Sequence, residues 1–272
     1  MVRSLWTGAT GMLAQQTNLD VIANNLSNVN SVGYKTQTAE FKSLLYQNLQ
    51  ENTTLSDGSP KPTSAQVGLG TRNSSINSDF TQGNLTASTS DTDFAIVGDG
   101  FFAVRGTDGQ PYYTRNGHFT WSIGNGGLTL STTDGLPVYD SNGRTITLNS
   151  NTYQASRISI NSEGEVCYPD ANNNETGLGI FIGLYQFSNP QGLSNEGDTL
   201  YRATDASGAA INEYTSNNIA KSEVRQGYLE GSNVQVADEM VNMIVAQRAY
   251  EFASKIITTS DDMMSQANNL KR

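Results

Sequence analysis

Apolar positions recur at alternating intervals of four and three near the start of the chain: Leu5, Ala9, Met12, Gln16, Leu19, Ala23 and Leu26. This heptad series predicts an amphipathic helix over residues 4–29, with one polar interruption at Gln16. Trp6, Leu13 and Ile22 widen the stripe, and the Asn/Ser-rich stretch before Gly33 supplies a stop. At a rise of about 1.5 Å per residue the helix would be about 39 Å long, and in isolation it would be only marginally stable in water.

Residues 233–269 carry a second helical pattern. Ser232 and Asn233 are candidate N-caps, and Asp238 and Glu239 stand near the end that favours negative charge. Val236, Ala237, Met240, Val241, Met243, Ile244 and Val245 go nearly all the way round. A helix apolar on every side must be covered on every side, and one other long helix cannot do that. Further copies of the chain are the expected cover. Beyond this run the stripe narrows to Tyr250, Phe252, Ala253, Ile256 and Ile257.

Between the helices the period changes from helical to extended. Residues 94–105 read as two strands around Gly98-Asp99-Gly100. Turn dipeptides follow at Asp108-Gly109, Asn116-Gly117, Asp134-Gly135 and Asn142-Gly143, with a glycine-rich turn over 124–127. That rhythm predicts antiparallel β structure. Residues 155–166 and 178–188 continue it, the latter as the most apolar strand. Residues 47–66 are polar, contain Pro60 and Pro62, and predict an extended linker. The fold class expected is α+β: terminal helices pairing as an α-helical coiled-coil domain, with a central, mainly antiparallel β domain. The expected division is 1–35 with 226–272 (helical), 36–66 (linker) and 67–225 (β).

Composition narrows the function. The 272 residues carry a formal net charge of −10, and Lys and Arg cluster nowhere beyond the terminal pair Lys271 and Arg272. A nucleic-acid partner is disfavoured, because phosphate binding needs a basic face. The single cysteine, Cys167, cannot form an internal disulfide or a zinc site and reads as an inert strand residue. No apolar run has the length of a membrane span, and the N-terminal stretch lacks the apolar core of a cleavable signal. Membrane insertion is therefore not expected.

Little in the chain reads as catalytic. His118 is the only histidine, which removes histidine-rich metal sites and hydrolytic triads. Asp91, Asp93 and Asp99 lack the ordered ligand series of a calcium loop. Gly98-Asp99-Gly100 lacks nucleotide-loop spacing and precedes a strand. No cofactor or metal is expected. Two readings from other classes stay open: a β-domain adhesion module on a coiled-coil stalk, and a polysaccharide-active enzyme using Asp91 and Asp93. The enzyme requires a cleft that holds two carboxylates at a working separation.

Two terminal segments and one central segment carry a family resemblance. Residues 22–31, IANNLSNVNS, and 232–251, SNVQVADEMVNMIVAQRAYE, resemble the N- and C-terminal motifs of the flagellar axial family of rod, hook and hook-associated subunits. Residues 80–119 resemble that family's central β domain. The opening MVRSLWTGATGM, followed by AQQTNLDVIANN, resembles the distal-rod branch, with proximal-rod and hook types as alternatives. The resemblance implies a non-enzymatic structural subunit of the basal body that polymerises helically into a tube around an export channel and transmits torque. It also implies an inner helical layer and an outer β layer. Its implied partners are further copies of itself, proximal rod subunits, hook protein, surrounding ring proteins and the type III export apparatus, which needs no cleavable signal. The assembly interface expected on this basis comprises Leu5, Met12, Gln16, Leu19, Ile22, Asn24, Asn25, Leu26 and Asn28 of the first helix. From the second it takes Val236, Met240, Val241, Ile244, Val245, Arg248, Tyr250 and Glu251. The asparagines and Gln16 would fix register between subunits, as a buried Asn does in a coiled coil; otherwise they form a solvated face.

Overall fold

The computed structural model describes residues 2–50, 65–124, 127–150, 152–170, 174–216 and 219–270. They fall into two compact units, one built from 1–27, 37–78 and 235–272, the other from 28–36 and 79–234.

The first unit holds both long helices, α1 (Val2–Ser27) and α2 (Val236–Asn269). It also holds strands β1 (Gln37–Ser43), β2 (Tyr46–Gln50), β3 (Ala65–Gly68) and β4 (Thr71–Ser78). β1 pairs antiparallel with β4, from Gln37 opposite Ser78 to Ser43 opposite Thr71, with a bulge at Glu40/Phe41. β2 pairs with β3, Tyr46 opposite Gly68. β1 and β2 are thus strands where the sequence predicts linker. The reason is that β1 is polar and largely exposed, so no apolar alternation announces it. The remainder of the expected linker, 51–64 with Pro60 and Pro62, lies outside the described residues, as do Lys271 and Arg272.

α1 and α2 pack antiparallel, but not along the stripe of large residues. Ser4 meets Ser260 at one end (Oγ to Oγ 3.1 Å) and Asn25 meets Glu239 at the other (Nδ2 to Oε1 3.3 Å). Between them Gly8 faces Ala253, Ile256 and Ile257, and Gly11 faces Ala253. Each of these α1 positions precedes a member of the predicted series by one residue. Small side chains let the backbones approach closely, and large ones at the same places would hold them apart. On α2 the buried positions are Glu239, Ala246, Ala253 and Ser260, spaced by seven.

α2 begins at Val236, later than predicted, and its N-cap Gln235 makes no side-chain capping bond. Asn233 does not cap the helix. Its Oδ1 accepts from Thr36 N and Thr36 Oγ1, both at 2.7 Å, and its Nδ2 donates to Asp79 O and Thr81 O. No helix among the described residues is long and apolar enough to cross a membrane.

The second unit is almost wholly antiparallel β. It contains β5 (Leu85–Ala87), β6 (Phe94–Val97), β7 (Phe101–Arg105) and β8 (Pro111–Thr114). A six-stranded sheet runs in the order 194–197, 200–202, β8, β7, 184–186, 211–212. β7 is buried on both faces. Phe102 and Val104 join the main core with Phe94, Ile96, Phe119 and Leu130. Phe101 and Ala103 join a second cluster with Tyr113, Phe187 and Tyr201. This explains a continuous apolar run instead of an alternating one.

The two strands read around Gly98-Asp99-Gly100 exist, yet they do not pair with each other. β6 pairs with 223–226, and β7 with β8 and 184–186. Gly98 has φ +130°, and a Cβ there would lie 2.6 Å from Ser222 Oγ. The single strand predicted over 178–188 is two, 175–181 and 184–186. At the break, Ser141 N donates to Phe181 O and Gly183 N donates to Tyr139 O, so the chain changes sheets there.

Candidate assembly surface

In a folded single chain an apolar side chain is normally inside. α2 breaks this rule over most of its length. Val236, Met240, Val241, Ile244, Val245, Tyr250 and Phe252 are all exposed, Val245 by 62%. The seam uses only one narrow face, so the all-round apolar run keeps its other faces uncovered. On α1, Leu5, Met12, Leu19 and Leu26 are half-buried, Gln16 and Asn24 are exposed, and Ile22 is buried within the unit. Arg248 Nη1 donates to Glu251 Oε2 at 2.8 Å along the exposed surface of α2.

Asn25 bonds within its own chain. It is buried, its Oδ1 accepts from Gln37 N at 2.9 Å, and its Nδ2 donates to Gln37 O and to Glu239 Oε1. The amide pairs with the first residue of β1 and at the same time reaches α2. Burial pushes the Glu239 carboxyl above its ordinary range, with Asp238 adding to the effect and the Asn25 bond opposing it. Asn28 Oδ1 accepts from Ser31 Oγ at 3.0 Å just after α1 ends. Asn25 and Asn28 thus order the chain's own turns and strands.

The β unit contains a buried ionic cluster that the sequence reading missed. Glu230 Oε1 accepts from Lys35 Nζ at 2.6 Å and from Gly83 N at 2.9 Å, and Oε2 accepts from Arg115 Nη1 at 3.4 Å. Lys35 Nζ also donates to Thr81 O at 2.7 Å, and Arg115 stacks over the Phe101 ring. Burial holds the Lys35 ammonium below the ordinary lysine range against the pull of Glu230. Gly33, with φ +69°, donates its N–H to Glu230 O at 2.8 Å, and a Cβ there would meet Asn116 N at 2.6 Å. The only sequence signal was a lysine and a glutamate flanked by glycines in otherwise polar stretches, which reads as surface. Together with Asn233, these groups tie residues 33–36, 79–83 and 230–233 into one knot.

Asp91 and Asp93 sit in different surroundings. Asp93 is buried and fully engaged, accepting from Ser88 Oγ at 2.5 Å and lying 2.6 Å from His118 Nδ1. Asp91 is exposed, and its carbonyl accepts from Gln226 Nε2. Cys167 is buried on the strand 165–169, where burial pushes its thiol pKa up.

An α+β subunit with close-packed terminal helices and a long uncovered apolar surface belongs to the class of self-associating structural proteins. Three family models match it: "Flagella basal body rod protein" over 5–35, "Flagellar hook protein FlgE/F/G D1 domain" over 95–168 and "Flagellar basal body rod FlgEFG protein C-terminal" over 225–270. It is 43% identical to the flagellar basal-body rod protein FlgG of Borreliella burgdorferi, over the full length of both chains. Identity is 40% to the proteins of that name from Buchnera aphidicola subsp. Acyrthosiphon pisum and from Agrobacterium fabrum, each over 99% of this chain and all of theirs. The chain belongs to the FlgG family of flagellar basal-body rod proteins, structural subunits of the flagellum.

Proposed function

We propose that this chain builds the distal segment of the flagellar rod. Copies polymerise helically, through their terminal helices, into a tubular shaft that carries torque to the hook and leaves a channel for export. The observation that carries this reading is the uncovered apolar surface of α2, extending from Val236 to Phe252 on a helix held along only one face. Burying each large side chain of that surface against a neighbour contributes about 1.5–3 kcal/mol. Repeated in every subunit, that is ample to hold a filament together. Coiled-coil supercoiling of the helix pair belongs to the assembled state in this reading. Val236, Met240, Val241, Ile244, Val245, Arg248, Tyr250 and Glu251 form the interface on α2, and Leu5, Met12, Gln16, Leu19, Asn24 and Leu26 form it on α1. Ile22, Asn25 and Asn28 support it from inside the chain. The subunit is not an enzyme. It leaves the cell through the flagellar type III apparatus and meets proximal rod subunits at one end and hook protein at the other, within the surrounding rings.

The test is electron microscopy of basal bodies from cells lacking the gene. Shortened rods without hooks are expected. Complete rods with hooks would remove the assignment and return the adhesion module to consideration.

A further inference from the structure

Beside the helix seam the first unit has an apolar groove of about 660 Å³. Its floor is Gly8, Gly11 and Ala253, its walls are Phe252, Ile256 and Val67, and Arg3 stands at its rim. A second shallow groove continues it along α2 past Lys255 to Met263. The same small residues that let the two backbones approach leave this hollow.

α1 also carries two large side chains with no cover. Trp6 is 67% exposed and Leu13 is 64% exposed. They are seven residues apart, so they share one face of the helix. That face lies roughly 180° around α1 from the Ser4–Gly8–Gly11 face. Hollow and projections therefore occupy the same level of the same helix but point away from each other.

We propose that the groove seats Trp6 and Leu13 of a second copy of this chain, an inference that rests on the rod reading above. Three features single out this occupant. In a polymer of identical subunits all copies point the same way, so neighbouring α1 helices run nearly parallel. Projections at residues 6 and 13 then reach a floor at 8 and 11 with little axial shift. A cationic rim of Arg3 and Lys255 beside the Phe252 ring suits the π face of an indole and excludes a basic side chain. Finally, projection and hollow lie on different faces, so each contact leaves one of each free. Such a heterologous contact can continue from copy to copy and does not close as a two-fold dimer.

The experiment is cysteine cross-linking of the full-length protein in rods. In a Cys167→Ser background, Trp6→Cys is combined with Phe252→Cys, and isolated basal bodies are oxidised. The two sites lie on different faces of one chain, so only a neighbour can join them. A ladder of covalent multimers is expected from rods, and monomer alone from dispersed protein or from either single variant. If the pair blocks rod formation, Thr7→Cys with Leu13→Cys replaces it. Rods that yield only monomer with both pairs overturn the proposal and leave the rod reading intact, whereas wild-type protein missing from the rod fraction overturns that reading itself. In parallel, Trp6→Ala should abolish motility and Trp6→Phe preserve it, while both purified monomers melt like wild type because Trp6 is exposed. Wild-type motility of Trp6→Ala would overturn the proposal on its own.

Discussion

At the scale of residues, Glu230 shows how a buried charge can organise backbone from distant parts of the chain. Its carboxylate accepts from Lys35, Arg115 and Gly83, while its carbonyl accepts from Gly33. Taking three charges out of water costs free energy that their attraction offsets only while every partner is in place. Removing one leaves the others buried and uncompensated. Glu230→Ala is therefore expected to lower the stability of the β unit by about 3–5 kcal/mol. Urea unfolding followed by near-ultraviolet circular dichroism reads this directly. A loss within the range of a surface substitution, about 0.5 kcal/mol, would show that the cluster contributes little.

At the scale of elements, the antiparallel seam between α1 and α2 depends on what is missing from it. A Cβ added at Gly8 would stand 3.0 Å from Ile257 Cγ1, and one at Gly11 would stand 3.8 Å from Ala253 Cβ. A methyl group at Gly11 would make ordinary contact, whereas at Gly8 it would press on Ile257, so the seam is tightest at Gly8. Ala253→Leu should destabilise the helix pair by about 1–3 kcal/mol through overpacking. The helical signal at 222 nm is expected to melt earlier, while the β unit keeps its own transition. An unchanged helical melt would place the seam elsewhere. The helices were legible in the sequence from their period. Their contact face was not, because Gly, Ala and Ser carry no apolar signal. The large residues that do carry it, Trp6, Leu13, Val241 and Val245 among them, are the ones left exposed.

At the scale of the whole molecule, the chain's ends divide differently from what periodicity implies. The division expected from the sequence groups 1–35 and 226–272 with the helices. The compact units instead place 28–36 and 79–234 together, with Gly33, Lys35 and Thr36 bonded into the ionic knot. A fragment spanning 28–234 should thus fold with the β-unit transition of the intact protein. A fragment spanning 37–229 should lose it, because Glu230 and its partners are cut apart. Proteolysis and circular dichroism of the two fragments distinguish the outcomes. Equal stability would mean that the knot only decorates the β core.

Sequence alone determined the presence of two long helices at the ends, β structure between them and the family. Each of these rests on a local signal: a heptad period in α1, an all-round apolar run in α2, turn dipeptides such as Asp108-Gly109, where Gly109 has φ +79°, and terminal motifs that need no folding to be read. The tertiary structure decided what depends on which segments meet. It set the helix seam one residue off the apolar stripe, formed strands at 37–43 and 46–50 within the expected linker, and split 178–188 between two sheets. It also took Asn25 inside to bind Gln37 and Glu239, and drew Lys35, Arg115 and Glu230 from three parts of the chain into one buried cluster. Polar and small residues carry those decisions, and they declare themselves only through the partner they find, because hydrogen bonding and close approach are properties of pairs and not of positions along a chain.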